Sequence, residues 1–430
     1  MEFLSNAKLG SVFMPEPIFY HIDVNSAFLS FEAAYRVNVL GEKLDIRNIP
    51  SVIGGNEERR HGIVLAKSMP AKKYKIQTGE SLMEARKKCP SLAVYPPNYA
   101  MYVESSRKFI ELLRRYAPIV EQYSIDEAFC DMTGTEGLYG SPVIFANELK
   151  DIIHTELGFT VNIGISNNKL LAKMASDFKK PNLVHTLFPW EIKDKMWSLP
   201  VGDLFYVGRA TERKLKSLGI MTIGDLAQAD PKLLESHLKS HGLVIWNYAN
   251  GNDLDIEITH NAINKGYGNS LTIHHDVTDP NEAKMILLSL CETVGARIRA
   301  DNAYISVVSV SIVDYNFYHV SQQMTLNSAT DITEKIYVAA CTVFDRLWNH
   351  SPIRQLGVHT SKATSTSAYQ YSLFDTQDVD KLSKLNTAID DIRLRYGEDS
   401  IIRACFLNSS HSHMSGGIDK AKRTGITKEV

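Results

Sequence analysis

The sequence predicts an α+β protein of several domains. Three observations carry this: the length, a strand–helix–strand–strand–helix–strand order near the N-terminus, and two later changes of pattern. At 430 residues the chain is several times longer than the usual domain of about 100–150 residues. Its 44% hydrophobic content, with 19 Tyr, 16 Phe and 4 Trp, supplies a sizeable core and excludes disorder throughout. A formal net charge of −2 excludes a uniformly basic, histone-like or polybasic membrane protein, so any anion site has to be local.

Residues 18–24, IFYHIDV, are β-rich and break into NSAFLSFEAAYRV, whose apolar residues recur at helical spacing. Residues 41–97 are short runs broken by Gly, Pro and charge, and residues 41–100 hold eleven Lys/Arg against six Asp/Glu. SRKFIELLRRYAP then reads as an amphipathic helix ending at Pro118, and IVEQYSIDEAFCDMTG as two strands with a turn near Ser124 to Glu127. A helix at 142–157 and a strand at 160–166 follow. This order resembles the split βαβ arrangement of ferredoxin-like sheets, with a basic insertion after the first helix.

Residues 187–258 read as small and all-helical, with turns at Gly208, Gly219 and Gly224 and a capping-box spacing at Thr222 and Asp225. From 268 to 360 the β-rich runs GNSLTIHHDV, YISVVSVSIVDY and YHVSQQMTL alternate with helical stretches at 280–299 and 331–349. SKATSTSAY, at 361–369, is a polar linker. KLSKLNTAIDDIRLRYG places Leu382, Leu385, Ile389 and Ile392 on one helix face, which predicts core packing onto the preceding unit, with a regulatory partner as the alternative. From Phe406 onward the sequence predicts a disordered tail, in which His411 and His413 are solvated rather than metal ligands. Cys89, Cys130, Cys291, Cys341 and Cys405 show no C-x-x-C spacing, which fits a reducing compartment. No leader pattern and no run of about 18 apolar residues is present, so the expected location is the cytoplasm, with no membrane partner.

Asp23 ends the first strand, and Asp126 and Glu127 occupy the inferred turn. Adjacent residues of a regular strand face opposite ways, so both acids serve one site only where a turn twists the backbone. Hard divalent cations combine one or two carboxylates with substrate phosphates, so three acids on neighbouring strands suit Mg²⁺-dependent phosphoryl chemistry. Lys67, Lys72, Lys73 and Lys75 cluster with Tyr74, and Lys179 and Lys180 precede Pro181. Such point charges suit a triphosphate.

DVNSAFLSFE at 23–32, YSIDEAFCD at 123–131 and GISNNKLLAKMASDFKKPN at 164–182 resemble, in order, the motifs of Y-family translesion DNA polymerases, nearest the UmuC branch. The resemblance covers roughly residues 18 to 374. It implies a palm at 18–30 and 95–186, fingers at 31–94, a helix-hairpin-helix thumb at 187–258 and a little finger at 266–365. A linker, clamp-binding motif and tail at 366–430 complete it. No separate exonuclease domain is expected. The implied activity is error-prone, template-directed DNA synthesis from dNTPs on primer-template DNA during an SOS-type damage response, working at the nucleoid.

By the same resemblance, Asp23, Val24, Asp126 and Glu127 hold two Mg²⁺ ions, and Asp23, Asp126 and Glu127 are catalytic. Phe28 is the steric gate against a 2′-hydroxyl, with Phe31 the alternative, and Lys72 and Lys180 bind the nucleotide. Met69 and Lys72 stand where many members carry Tyr and Arg, while Asn25 and Ala27 replace a frequent Asp and aromatic. YVGRATERKLKSLGI resembles one helix-hairpin-helix unit, in which Gly208, Arg209, Arg213 and Lys214 bind DNA phosphates. Residues 266–365 hold seven Lys/Arg against nine Asp/Glu, so DNA grip there falls to focal groups such as Arg297, Arg299, His274 and His275 or to backbone amides, with His274 and His275 equally readable as plain strand residues. QYSLF resembles a sliding-clamp peptide through Gln370, Leu373 and Phe374, and an accessory protein is a further possible partner. A nucleotidyl cyclase and a catalytically silent DNA-binding scaffold are the rival readings.

Overall fold

The structure is a computed structural model that describes residues 16–55, 60, 62–253, 264–365, 379–407 and 409–416. The chain forms two compact units, Met1–Asp45 with Glu104–Thr259, and Ile46–Val103 with His260–Val430.

The first unit is built on a five-stranded sheet. Its order is Ile119–Gln122, Glu127–Asp131, Phe19–Val24, Val161–Ser166 and Val184–Thr186. Phe19–Val24 lies centrally and antiparallel to both neighbours, as the split βαβ reading requires. The short strand Val184–Thr186 extends the sheet in parallel and was not foreseen. Every residue of Phe19–Val24 and of Val161–Ser166 is buried, which explains the near-continuous apolar runs. Helix Lys169–Ser176 lies against the Val161–Ser166 strand because Gly164 has no side chain: a Cβ there would meet Ala172 O at 1.9 Å. All eight residues of that helix are buried, two lysines included.

The helical part of this unit packs Leu215, Ile220, Ile223, Leu226, Leu234 and Ile245 into one core with Leu170, Leu171 and Met174 of helix Lys169–Ser176. The capping box forms as its spacing predicts, with Asp225 N donating to Thr222 Oγ1 at 3.1 Å and Thr222 N to Asp225 Oδ2 at 2.9 Å.

In the second unit, residues 46–103 hold a three-stranded sheet in the order Val64–Lys67, Ser51–Gly54, Ala93–Tyr95. A small core of Val52, Val64, Ala71, Ile76, Leu82 and Ala85 backs it. Residues 264–365 form a four-stranded sheet ordered His319–Thr330, Ile305–Asp314, Ile353–Ser361, Gly268–Val277. Helices Pro280–Ala300 and Thr333–Leu347 cover one face through Ile286, Leu290, Val294, Val308, Val310 and Phe344. The other face carries no Lys or Arg at its paired positions: Ser309 pairs with His359 on one side and Gln323 on the other, and Gln355 with Thr272.

The C-terminal segment corrects two expectations. Helix Val379–Tyr396 docks through the polar groups of Asn386, Asp390 and Arg393, and the predicted apolar stripe is split: Leu382 and Ile389 are half-buried, whereas Leu385 and Ile392 stay 48% and 37% exposed. The buried Glu292 explains this, since it takes Arg393 at 2.8 Å and Arg403 at 2.7 Å, and a buried carboxylate needs such partners. The stretch 409–416 is ordered against the same helices: Ser415 O accepts from Thr293 Oγ1 at 2.9 Å. His411 pairs with Glu282 at 2.8 Å and His413 with Asp399 at 3.0 Å, so neither histidine is solvated. The QYSLF residues Gln370, Leu373 and Phe374 lie outside the described residues.

Candidate active site

The sheet register sets Asp23 opposite Glu127. Val24 N donates to Asp126 O at 2.9 Å, which fastens the turn to the end of the central strand. Tyr123 N and Ser124 N both reach Glu127 O, at 3.0 and 3.1 Å, so Asp126 stands in the turn and Glu127 begins the strand. Adjacent acids thereby escape the alternation of a regular strand. Ser124 Oγ donates to Asp126 Oδ1 at 2.6 Å and orients that carboxylate.

Two ammonium groups meet these acids. Lys180 Nζ contacts Asp23 Oδ2 and lies 2.9 Å from Asp177 Oδ1. Lys173 Nζ lies 2.7 Å from Glu127 Oε1, over the Tyr123 and Phe205 rings at 5.1 and 5.3 Å. Lys169 pairs with Glu121 at 3.3 Å one helical turn away. The sequence reading passed over Lys169, Lys173 and His21. Lysines at i and i+4 inside the apolar run KLLAKMA were the available signal, since a solvated face would not carry so many large apolar neighbours.

His21 is fully buried, and its ring is oriented by Ser176. Ser176 Oγ donates to Lys173 O at 2.8 Å, so it accepts from His21 Nδ1 at 2.7 Å. His21 Nε2 then faces Glu127 Oε1 at 4.0 Å as a lone pair. Burial, followed by Lys173 and Lys180, holds His21 well below the usual imidazole range, so it is neutral.

Burial pushes Asp23 up to about 6; Lys180 pulls it back, and Glu127 and Asp126 push it further up. Burial opposes the charge on Lys180, yet Asp23 and Asp177 outweigh it and raise its pKa. Both move upward for different reasons: burial dominates at Asp23, whereas the carboxylates of Asp23 and Asp177 together outweigh burial at Lys180. Among the described residues, the ammonium groups paired with Asp23, Glu127 and Asp177 are those of Lys173 and Lys180. The donors of Asp23, Asp126, Glu127 and Asp177 are all oxygens, and positive charge already sits against three of the four carboxylates, so the residues fit hard divalent cations. A tighter group, Glu398, Asp399 and His413 within 4.8 Å, lies in the C-terminal segment and is built from other residues.

The remaining candidates separate clearly. Phe28 is half-buried on helix Ala27–Asn38, while Phe31 is core, edge-on to the Phe159 ring at 5.1 Å. Asn25 Oδ1 accepts from Thr160 Oγ1 at 3.0 Å and from Asn182 N at 2.9 Å, so it ties the strand end to the loop after Lys180. Lys72 is exposed on helix Met69–Lys73 of the second unit. Gly208 caps helix Arg209–Ser217 with open space where a Cβ would lie, and Arg209, Arg213 and Lys214 are exposed beside it.

Arg299 is a correction: it is spent inside the second unit on Asp390 at 2.5 Å, Asn386 and Thr333 at 3.0 Å and the Asp331 carbonyl at 2.9 Å. A guanidinium with its donors so engaged is a structural tie rather than a phosphate ligand. Arg297 donates to Gly268 O at 3.2 Å and lies 5.9 Å over the Tyr267 ring. Among the described residues no helix is long and apolar enough to cross a membrane.

Comparison with known proteins follows the same segments. A family model for the impB/mucB/samB family matches residues 22–177, one for the IMS family HHH motif matches 190–220, and one for the impB/mucB/samB C-terminal domain matches 264–373. DNA polymerase IV of Clostridium acetobutylicum is 47% identical over 392 residues, covering 91% of this chain and 98% of its own length. DNA polymerase IV of Acetivibrio thermocellus is 36% identical over 401 residues, covering 91% and 97%. Among solved structures, a Y-family DNA polymerase chimera of Dbh and Dpo4 segments superposes with a TM-score of 0.69 at 22% identity, covering 81% of this chain and all of its own. These matches do not separate the UmuC branch from other members.

Proposed function

The chain belongs to the Y family of translesion DNA polymerases, the impB/mucB/samB family, and is a DNA-directed DNA polymerase; from this premise we propose how its residues divide the work. Asp23, Asp126 and Glu127, with Val24, hold two Mg²⁺ ions. When bound, these ions lower the pKa of the primer 3′-hydroxyl and neutralise the triphosphate. The observation that carries this reading is the acidic surplus at the end of the central strand, met by the ammoniums of Lys173 and Lys180.

The protein's own groups do the positioning. Lys173 fixes the Glu127 carboxylate from below, and Ser124 fixes Asp126. Phe28 excludes the 2′-hydroxyl of a ribonucleotide by volume. Lys180 and Lys72 meet the triphosphate as point charges. Gly208, Arg209, Arg213 and Lys214 hold the duplex backbone without sequence preference, through open backbone N–H groups and charge. Arg297 adds one focal charge, and the polar face of the four-stranded sheet adds contacts that carry little. Gln370, Leu373 and Phe374 dock on the sliding clamp, which offsets that weak electrostatic grip by raising effective concentration. Synthesis across lesions in an SOS-type response, in the cytoplasm at the nucleoid, completes the proposal, with an accessory protein as a possible regulator.

The test is primer extension with and without Mg²⁺ on damaged and intact templates. Extension by wild type with Mg²⁺, and its loss in Asp126→Ala with primer-template binding kept within a few fold, supports the assignment. Near-normal extension by Asp126→Ala at saturating Mg²⁺ overturns it.

A further inference from the structure

The two lysines that neutralise the palm acids have different surroundings. Lys173 projects from a helix whose every residue is buried, is itself 8% exposed, and is enclosed by Glu127, Tyr123 and Phe205. Moving it would strand a buried carboxylate under two aromatic rings. Lys180 follows the helix on a loop and is 34% exposed. It bridges an inner carboxylate, Asp23, and an outer one, Asp177, which is 51% exposed. Its ammonium therefore already has a second anchor at the solvent side of the site. A flexible four-carbon stem gives it the reach to change partners.

We infer that Lys180 is an exchanging counter-ion: it neutralises Asp23 while the palm is empty, and moves to the incoming triphosphate when a divalent cation takes Asp23, with Asp177 anchoring the ammonium between the two. This rests on the proposed reading of Asp23 as a metal ligand. Every charged group stays paired through the exchange, because the cation replaces the ammonium on Asp23 and the phosphate oxygens arriving with it replace Asp23 on the ammonium. Neither the buried acid nor the lysine is left unpaired, a state that is costly in a low-dielectric site. The arrangement makes Lys180 a competitor of the cation in the empty palm and an ally of the nucleotide in the filled one. A lysine that only supported the fold would not act with opposite sign on the two ligands.

The test reads cation binding without catalysis. Free Mn²⁺ is followed by electron paramagnetic resonance during titration of the full-length protein without nucleotide, and the KM for dNTP is measured separately. For Lys180→Met we expect Mn²⁺ to bind the empty palm about 5-fold tighter, while the KM for dNTP rises about 10-fold. Lys180→Arg keeps the positive charge and should leave Mn²⁺ affinity within about 2-fold of wild type, which also guards against a folding defect at this position. Equal or weaker Mn²⁺ binding by Lys180→Met overturns the inference. Mn²⁺ binding that ignores Asp126→Asn in the wild-type background overturns the metal reading on which it stands.

Discussion

Lys173 Nζ lies 2.7 Å from Glu127 Oε1 beneath the Tyr123 and Phe205 rings, so an acid at the end of the sheet is held by a cation from inside the core. Removing one partner of a buried pair leaves the other charge uncompensated, at a cost of about 3–5 kcal/mol. Lys173→Met should therefore destabilise the unliganded protein by about 3 kcal/mol, and Glu127→Gln in the same chain should restore much of that. Urea unfolding of both singles and the double variant measures the coupling. A Lys173→Met protein as stable as wild type would show that the pair contributes nothing.

Asp23 gives the metal-free protein a definite pH dependence. Its folded pKa of about 6 lies above the ordinary 3.8, so between those values the folded state binds more protons than the unfolded one. Stability contributed by this group is therefore full at low pH and is lost as pH rises from about 4 to about 6, by at most about 3 kcal/mol. Asp23→Asn should flatten that part of the curve. Unfolding in chelator at several pH values, wild type minus variant, isolates the slope; a difference that does not change between pH 4 and 7 would contradict it.

Phe28 and Phe31 sit three residues apart on one helix and should fail differently. Phe28→Ala opens the half-buried position and should raise ribonucleotide incorporation relative to dNTP by about 10–100-fold at little cost in stability. Phe31→Ala empties a core position against Phe159 and should lower stability by about 3–5 kcal/mol while leaving the sugar preference unchanged. Steady-state efficiencies for both sugars, with melting temperatures alongside, separate the two. An unchanged ratio in Phe28→Ala would place the gate elsewhere.

Most of the fold was legible because its strands are buried runs and its helices carry ordinary signals. Phe19–Val24, Val161–Ser166 and the Thr222 cap emerged within a residue or two of the predicted places. The clustering of Asp23, Asp126 and Glu127 was legible because Asp23 and Glu127 stand at strand ends and Asp126 in the turn between. Lys173 was hidden because a lysine in a helix reads as solvated surface, and only the tertiary approach of Glu127 gives it a partner. The docking side of helix Val379–Tyr396 was misread for the opposite reason. Its apolar stripe at Leu385 and Ile392 suggested a core face, but buried Glu292 and half-buried Arg299 on the neighbouring helix bind its polar residues instead. Periodicity reports amphipathicity and does not say which face finds a better partner.

The same reassignment separates two arginine sets that looked alike in sequence. Arg299 gives its donors to Asp390, Asn386, Thr333 and a carbonyl, so Arg299→Ala should loosen helix Val379–Tyr396 and leave DNA affinity within about 2-fold. Limited proteolysis should then cut near residues 379–396 faster than in wild type. Arg213 and Lys214 are exposed beside Gly208, so replacing both with Ala should weaken primer-template binding roughly equally for all sequences. It should also reduce the slope of log affinity against log salt by about 2, one for each lost phosphate contact. Because the polar sheet face of the second unit adds little charge, the thumb variant should lose a large share of the total salt dependence. Fluorescence anisotropy at four salt concentrations reads both effects. A steep salt slope kept in the Arg213/Lys214 variant, or lost in Arg299→Ala, would reverse the assignment of which arginines face the duplex.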